Sequence, residues 1–369
     1  MNKETNTLIP EIRFPEFLND GKWEENTFEE LFKIGNGKDY KHLGKGEIPV
    51  YGSGGYMLSV NDYLYDGESV CIGRKGTIDK PMFLKGKFWT VDTLFYSHSF
   101  KNCLPKYIHY VFQNINWLKH NEAGGVPSLS KTNIYKIKTL VPQPNEQQKI
   151  ASCLSSLDDL IAAHSQKLDF LKEHKKGLMQ NLFPQEGETV PKYRFPEFVN
   201  DGEWVEKTFE ELFVIGNGRD YKHLDKGKIP VYGSGGHMLF VNDYLYDGES
   251  TCIGRKGTID KPMFLSGKFW TVDTLFYTHS FKKCLPKFIY YVFQNINWLN
   301  HNEAGGIPSL SKTNIYKIKT YLPKPKEQKY LVDCISSLDN LITTQEEKIE
   351  QLKLHKKGLM QGLFPKIND

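Results

Sequence analysis

The sequence predicts an α+β protein in which two mixed α/β globular domains are joined by two long antiparallel coiled-coil helices, with a pseudo-two-fold relation between the halves. Two observations predict this architecture. The chain of 369 residues is an internal duplication, and each copy passes from a segment rich in glycine and aromatic residues to a long segment with heptad spacing. The predicted segments are residues 1–143, 144–184, 185–324 (which include a linker) and 325–369.

The duplication is direct and covers most of the chain. Residues 13–17 (RFPEF) return as residues 194–198, and the copies then align without a gap at a shift of about 181, with roughly three-quarters of the positions identical. Solenoid units are only about 20 to 50 residues long, whereas this unit has the size of a domain plus a long helix. The molecule therefore carries the same surface twice, and we expect a target that presents the same feature twice.

The first globular segment contains several short predicted elements. Residues 48–55 (IPVYGSGG) are typical of a strand that runs into a glycine-rich loop, and residues 68–76 (ESVCIGRKG) of a strand that ends in a basic turn. Residues 87–96 (KFWTVDTLFY) are aromatic and β-branched, which predicts one further strand. Residues 105–118 have the spacing of a short amphipathic helix. The same elements are expected in the second copy.

Each helical segment carries an apolar seam. Its apolar residues recur at alternating intervals of four and three residues, which is heptad spacing. Polar residues interrupt the seam at His164 and Lys175, and we interpret them as fixing the register of the helix pair. Neither seam can be buried alone, so the helices should pair with each other or with a partner's helices. The predicted pairing residues are Ile150, Leu154, Leu157, Ile161, Leu168 and Leu171 in the first copy and Leu331, Ile335, Leu338, Ile342, Ile349 and Leu352 in the second.

The linker favours antiparallel pairing. Each helix would be roughly 55 Å long at 1.5 Å per residue. In a parallel pair, residues 185–192 would have to span that length, which so few residues could barely do even when fully extended. In an antiparallel pair each helix ends beside the other copy's domain.

Composition indicates an ordinary soluble protein, with 39% hydrophobic and 25% charged residues. No apolar run approaches the roughly 18 to 20 residues of a membrane span, and residues 1–5 lack the apolar stretch of a signal peptide. The six cysteines form no CxxC pair, which favours reduced thiols. We therefore expect a cytoplasmic protein without a membrane partner.

The net charge of +4 hides an asymmetry along each domain. Residues 14–70 sum to about −6 and residues 71–138 to about +8. Charge sorted in this way can form one basic face, but it is equally compatible with a mixed solvated surface.

Sequence patterns of catalysis are missing. There is no phosphate-binding GxxxxGK[ST] string, no HExxH string and no complete dinucleotide fingerprint. We therefore predict no catalytic residue, no metal site and no cofactor in this chain.

Three strings are suited to DNA contact, each with a plainer alternative. Residues 73–76 (GRKG) place two cations between glycines, suited to a phosphate or a guanine edge, although they could be a solvated turn. Residues 52–55 with the following aromatic could approach a groove, or form an ordinary turn. Residues 127–133 (PSLSKTN) offer hydroxyls and a lysine for phosphate, or a plain helix cap. The candidate DNA-contacting residues are Ser53, Tyr56, Arg74, Lys75, Lys80, Ser128, Ser130 and Lys131, and in the second copy Ser234, His237, Arg255, Lys256, Lys261, Ser309, Ser311 and Lys312.

The order of these strings, repeated in both copies, resembles that in the DNA-specificity (S) subunits of type I restriction–modification systems. Further marks are the helix lead-ins at residues 142–147 (PQPNEQ) and 323–328 (PKPKEQ), and the helix ends at residues 176–183 (KGLMQNLF) and 357–364 (KGLMQGLF). The resemblance implies two target-recognition domains in a non-catalytic subunit that binds double-stranded DNA. It also implies two partner modification subunits, which supply S-adenosylmethionine and methylate adenine, and restriction subunits that can join.

One departure from the family bears on the target. Members usually carry two dissimilar domains and recognise an asymmetric bipartite site, whereas the near-identical domains here predict an interrupted palindrome. The differences that bear most on this symmetry are Tyr56 against His237 and Ser59 against Phe240, beside the glycine-rich loop. A self-sufficient methyltransferase or nuclease, or a lectin-like or scaffold protein, are the alternative functions.

Overall fold

The computed structural model describes residues 9–185 and 187–365 and divides the chain into two compact units. Unit 1 comprises Met1–Ser165 and Glu347–Asp369, and unit 2 comprises Gln166–Glu346. Each unit therefore combines a globular domain with the beginning of one long helix and the end of the other. The domain bounds predicted from composition remain a prediction, because the compact units divide each long helix.

The globular part of unit 1 is built from short strands and three short helices. The strands are β1 (Glu24–Thr27), β2 (Lys33–Asn36), β3 (Lys45–Gly52), β4 (Gly55–Val60), β5 (Tyr65–Asp66), β6 (Ser69–Gly73), β7 (Met82–Leu84), β8 (Lys87–Thr90), β9 (Leu94–His98) and β10 (Lys138–Val141). The helices are α1 (Phe28–Leu31), α2 (Pro105–Asn114), α3 (Lys131–Lys136) and the long α4 (Pro144–Leu182).

The second copy repeats these elements. Its strands are β11 (Val205–Thr208), β12 (Val214–Asn217), β13 (Lys226–Gly233), β14 (Gly236–Val241), β15 (Tyr246–Asp247), β16 (Ser250–Gly254), β17 (Met263–Leu265), β18 (Lys268–Thr271), β19 (Leu275–His279) and β20 (Lys319–Leu322). Its helices are α5 (Phe209–Leu212), α6 (Pro286–Asn295), α7 (Lys312–Lys317) and the long α8 (Pro325–Leu363).

Each globular part contains one two-stranded and two four-stranded sheets. In unit 1 the orders are β1-β10, β2-β9-β6-β7 and β4-β3-β8-β5, and all pairs are antiparallel except β3 with β8. The single strand predicted for residues 87–96 is wrong: the structure has two strands there. The amide of Leu94 donates to the Val91 carbonyl (2.9 Å), which closes a turn between β8 and β9 and directs them into different sheets.

Aromatic side chains fill the core of unit 1. Phe28 of α1 packs on Phe112 of α2, with ring centroids 5.1 Å apart, and Phe112 packs on Trp117 at 4.9 Å. Because α2 is amphipathic, as its spacing predicts, this apolar face is buried against β6. The aromatic cluster recurs in unit 2 around Phe209, Phe293 and Trp298.

The proline-rich lead-in of each long helix is a polar anchor. Glu146, in the first turn of α4, accepts two hydrogen bonds from the Arg13 guanidinium (2.7 and 2.8 Å), and both side chains are buried. Gln147 is also buried and bonds the backbone at Leu104 and Pro142. These contacts tie the start of α4 to the globular part. In unit 2 Arg194, Glu327 and Gln328 make the same contacts.

The long helices run antiparallel within each unit, which confirms the pairing predicted from the linker. In unit 1 Leu363, at the end of α8, lies in the same core as Ile150 and Leu154 near the start of α4. In unit 2 Leu182 shares a core with Leu331. The described positions of both seams are buried or half-buried throughout.

The lysine that interrupts each seam contacts one polar group on the other long helix and one on a short helix of the globular part. Lys356 of α8 contacts Asp158 of α4 (2.6 Å) and the Gln113 side chain of α2 (3.0 Å). In unit 2 Lys175 contacts Asp339 (2.6 Å) and Gln294. Each lysine therefore joins both long helices to the globular part.

Within the described ranges, no helix is both long enough and apolar enough to cross a membrane.

Candidate functional site

The basic turn follows β6, whose five residues are all buried. A Cβ at Gly73 would overlap the Thr77 carbonyl oxygen, and Gly76 has a φ of +94°, so the turn needs glycine at both ends. Between them the side chains of Arg74 and Lys75 are exposed. Their backbone amides point inward to the Thr93 carbonyl (2.8 and 3.3 Å), which fixes the turn while leaving the cations in solvent.

The second predicted string lies directly against this turn. Lys75 and Ser128 form an isolated β-bridge, the Gly76 amide donates to the Pro127 carbonyl (2.9 Å), and the Leu129 amide donates to the Arg74 carbonyl (2.9 Å). The basic turn and the segment around Ser128, about fifty residues apart in sequence, are therefore hydrogen-bonded side by side in the manner of paired strands. Together they line an open cavity of about 710 Å³.

Two candidate residues of this string have structural contacts of their own. The Ser130 hydroxyl accepts a hydrogen bond from the Asn133 amide (3.2 Å) and caps α3. The Lys131 ammonium donates to the Ile34 carbonyl (2.6 Å). Burial, and secondarily the charge of Arg74, lowers the pKa of Lys131 from its usual value. Their assignment to DNA contact stays a prediction.

The glycine-rich loop is the tip of the β3–β4 hairpin and touches the basic turn. A Cβ at Gly76 would lie 3.1 Å from the Ser53 hydroxyl oxygen, so the two loops are in near contact. Tyr56 is 62% exposed beside Ser53, at the rim of a cavity of about 670 Å³. The three predicted strings thus form one continuous face, which we call the loop surface: residues 39–41, 52–57, 74–76, 92–93 and 122–131 in unit 1.

Unit 2 has the equivalent loop surface. Lys256 bridges to Ser309, the Gly257 amide donates to the Pro308 carbonyl (2.9 Å), and a Cβ at Gly257 would lie 3.2 Å from the Ser234 hydroxyl. A cavity of about 820 Å³ is lined by the predicted residues Arg255, Lys256, Ser309, Ser311 and Lys312. Among described residues, Lys80 and Lys261 are exposed but line none of these cavities.

Sequence reasoning missed several residues of this surface. Asn36, Lys41 and Asp92 line its cavities, yet each belongs to a different strand end or loop and forms no string with the others. Glu122 was also missed. Burial opposes its ionisation, but hydrogen bonds from Ser130 and Asn133 outweigh burial and lower the pKa of Glu122. An acidic group therefore belongs to the surface and braces the segment that carries Ser128.

The charges of Arg74 and Lys75 on the loop surface remain available to an anionic ligand. Within the described part of the chain, neither Arg74 nor Lys75 forms an ion pair. The described residues also hold no group of three metal-ligating side chains. Burial raises the pKa of the Cys71 thiol to about 12, so this thiol is protonated and unreactive near neutral pH. The arrangement suits binding through cations, hydroxyls and an exposed aromatic ring.

A family profile and several known proteins match most of the chain. The profile of the type I restriction modification DNA specificity domain matches residues 20–173 and again residues 201–354. An alignment of 363 positions with the MjaVIII specificity subunit of a type I restriction enzyme from Methanocaldococcus jannaschii shows 26% identity, and it covers 84% of this chain and 79% of that protein.

Two solved structures share the fold. The S subunit of a type I restriction–modification system from M. genitalium is 16% identical with a TM-score of 0.72, and the match covers 98% of this chain and 100% of that chain. A chain from a structural study of complex assembly and conformational transition of the type I R-M system is 12% identical with a TM-score of 0.51, covering 92% and 96%.

Proposed function

Since the chain belongs to the type I restriction modification DNA specificity family, we propose that it is the subunit that gives a type I restriction–modification complex its target sequence. The observation that carries the proposal is the meeting of three loops on one exposed surface, where Arg74 and Lys75 have no ion-pair partner among the described residues. Unit 2 has the same arrangement around Arg255 and Lys256. Both loop surfaces would bind double-stranded DNA.

Two kinds of contact follow from the geometry. The exposed cations and the hydroxyls of Ser53 and Ser128 are suited to phosphate oxygens, which position a protein on the duplex. Arg74 is in addition able to donate two hydrogen bonds to a guanine edge in the major groove. We assign base recognition to the tip of the β3–β4 hairpin and the basic turn, because both segments carry exposed side chains and the basic turn is held by the fully buried strand β6.

We propose that the target is an interrupted palindrome. Each unit is assembled from equivalent segments: a globular domain, the beginning of its own long helix and the end of the other. Near-identical loop surfaces should prefer near-identical half-sites. Because the paired helices are antiparallel, we expect those half-sites on opposite strands of the duplex.

The long helices would set the length of the spacer between half-sites. Inserting one heptad after residue 157 and one after residue 338 preserves the seam and adds about 10 Å of helix, equal to about three base pairs. The methylated motif should then gain a spacer of about three more base pairs. Inserting heptads of polar sequence at the same places, which breaks the seam, is the matched control and should abolish activity. Methylation at the original spacing by the apolar insertion variant would contradict this role of the helices.

We also propose that each unit docks one modification subunit on its helix pair. Leu160 of α4 and Leu354 of α8 are exposed, and the Lys356–Asp158 contact places them level with each other in unit 1. Unit 2 exposes Leu341 and Phe170. Apolar side chains exposed at such positions favour a protein partner. The modification subunits would bind S-adenosylmethionine and methylate adenine, and restriction subunits would join that complex, so this chain itself would need no cofactor.

Genome-wide mapping of methylated adenines tests the proposal. Cells that carry the gene should methylate a two-part motif with inverted halves, and cells that lack it should not. A motif with unrelated halves would contradict the palindrome alone. No gene-dependent motif, or base modification by the purified chain with S-adenosylmethionine, would overturn the assignment as a non-catalytic recognition subunit.

A further inference from the structure

The two loop surfaces are almost the same in chemistry. Along the two cavities of the unit 1 loop surface, only two lining positions differ from the second copy: Val126 is replaced by Ile307, and Tyr56 by His237. The first replacement adds one methylene group to a side chain that is more than half exposed in both copies. Only the second changes the hydrogen-bonding groups of the surface.

The first copy presents hydroxyl groups at this place. The Tyr56 hydroxyl lies 3.1 Å from the Ser59 hydroxyl on the same face of β4, and the Tyr56 ring packs against Tyr51 with centroids 6.1 Å apart. The contact links the phenol to the Ser59 side chain. The Tyr56 side chain remains 62% exposed at the rim of the cavity.

The second copy presents an aromatic patch at this place. Phe240 stands where the first copy has Ser59, and its ring lies 4.6 Å from the His237 ring. Phe240 is 51% exposed although it belongs to a strand whose neighbour Val241 is buried. No hydroxyl remains at either position.

We propose that residues 56 and 59 in the first copy, and 237 and 240 in the second, determine one base-pair position at which the two half-sites differ. The inference rests on the proposed function. In the major groove, apolar side chains favour the C5-methyl group of thymine, whereas hydroxyls form hydrogen bonds to base edges and need no methyl group. The second loop surface therefore prefers thymine at this position, and the first prefers a base edge that pairs with the Tyr56 hydroxyl. All other positions of the two half-sites match.

Exchanging the two pairs of residues tests this assignment in the complete enzyme. The variant Tyr56→His with Ser59→Phe gives both copies the second pair, and the variant His237→Tyr with Phe240→Ser gives both the first pair. Each pair already exists in a nearly identical domain, so both variants should fold. Lys85→Ser is the matched control, because it also converts a first-copy residue to its second-copy counterpart, but at a turn where Lys85 pairs with Glu68.

Methylated motifs are mapped in cells that express each variant. The natural chain should give inverted half-sites that differ at one position. Each exchange should make the two half-sites identical: Tyr56→His with Ser59→Phe should give both the base preferred by the second copy, and His237→Tyr with Phe240→Ser should give both the base preferred by the first. Lys85→Ser should leave the motif unchanged. Replacing the discriminating thymine by uracil should weaken binding of the natural complex about fourfold, the value of one buried methyl-sized group. It should not affect the complex of His237→Tyr with Phe240→Ser.

The possible failures are distinct. A perfect palindrome for the natural chain, or a motif that neither exchange alters, overturns this inference and leaves the proposed function intact. Loss of any gene-dependent motif in the natural chain overturns the proposed function, and this inference with it.

Discussion

His109 of α2 should make unit 1 lose stability in acid, whereas unit 2 has Tyr290 at the equivalent position. The His109 side chain is only 7% exposed and packs against Phe83. Burial, reinforced by the charges of Lys106 and Lys356, lowers the pKa of His109 from 6.5 to about 4.

The hydrogen bonds around His109 support the neutral form. Lys356 donates to the Gln113 carbonyl oxygen (3.0 Å), so the Gln113 amide nitrogen is the group that faces His109 Nε2 at 2.8 Å and donates to it. A protonated imidazole carries hydrogens on both nitrogens and would set donor against donor. In unit 2 Gln294 donates instead to the Tyr290 hydroxyl (2.6 Å), which accepts without a change of charge.

The pH window follows from the two pKa values. As the pH falls below 6.5 the unfolded chain binds a proton at His109, and the folded chain binds it only near pH 4. The stability contribution is therefore complete above about pH 6.5 and is lost as the pH falls toward 4. At pH 4.5 the loss is on the order of 2 to 3 kcal/mol.

Hydrogen exchange of the two equivalent helices measures this loss. Protection of α2 and α6 is compared at pH 7 and pH 4.5, after correction for intrinsic exchange rates. The opening free energy of α2 should fall more than that of α6, by a difference on the order of 2 to 3 kcal/mol. His109→Tyr, which copies the second unit, should remove the difference. Equal losses in the two helices, or a difference that survives this substitution, would refute the reasoning.

Three further changes test the site and the fold. Arg74→Ala with Lys75→Ala should weaken DNA binding and reduce the slope of log affinity against log salt by about one per lost phosphate contact. The control Lys138→Ala, which breaks a surface ion pair, should change neither quantity. An unchanged slope in the double variant would show that the basic turn is not part of the DNA interface. Glu146→Ala leaves the buried Arg13 guanidinium without its carboxylate partner, so it should destabilise unit 1 by about 3 to 5 kcal/mol, as measured by hydrogen exchange. Unit 2 is the internal control. A loss below about 1 kcal/mol, the value of a surface ion pair, would contradict the role of Glu146 as an anchor. Residues 1–190 alone should dimerise through the helix seam and restore activity with the modification subunit, and a monomer in sedimentation would contradict the pairing.

The long helices could be predicted from the sequence because their signals are local. Pro144 and Pro325 occupy the first helical position, and the seam repeats from residue 150 to 182 in the first helix and from 331 to 363 in the second. The strands β3 and β6, which lead into the loop surface, were predicted for the same reason, because each is an apolar run that ends at glycine. The turn after Thr90 was missed because residues 91–93 interrupt such a run without a glycine or a proline.

The site itself depends on contacts that no local pattern contains. The basic turn and the segment around Ser128 are joined by backbone hydrogen bonds across about fifty residues of sequence. Glu122 joins the surface because its carboxylate accepts from the Ser130 amide, a contact that spacing alone does not indicate. Likewise Lys175 is recognisable as an interruption of the seam, but its partner Gln294 belongs to a helix more than a hundred residues away.

Neither copy of the sequence completes a unit by itself. Phe364, at the end of the second helix, packs against Trp23 of the first copy with centroids 6.5 Å apart, and Phe183 packs against Trp204 of the second copy at 6.2 Å. The ends of the two helices, residues 176–183 and 357–364, differ at one position, because each must fit the same core. The exposed faces of the helices have no such constraint, and they are where the copies differ most. The loop surfaces that would contact DNA and the helix ends that exchange between copies are therefore both among the parts that the duplication preserves.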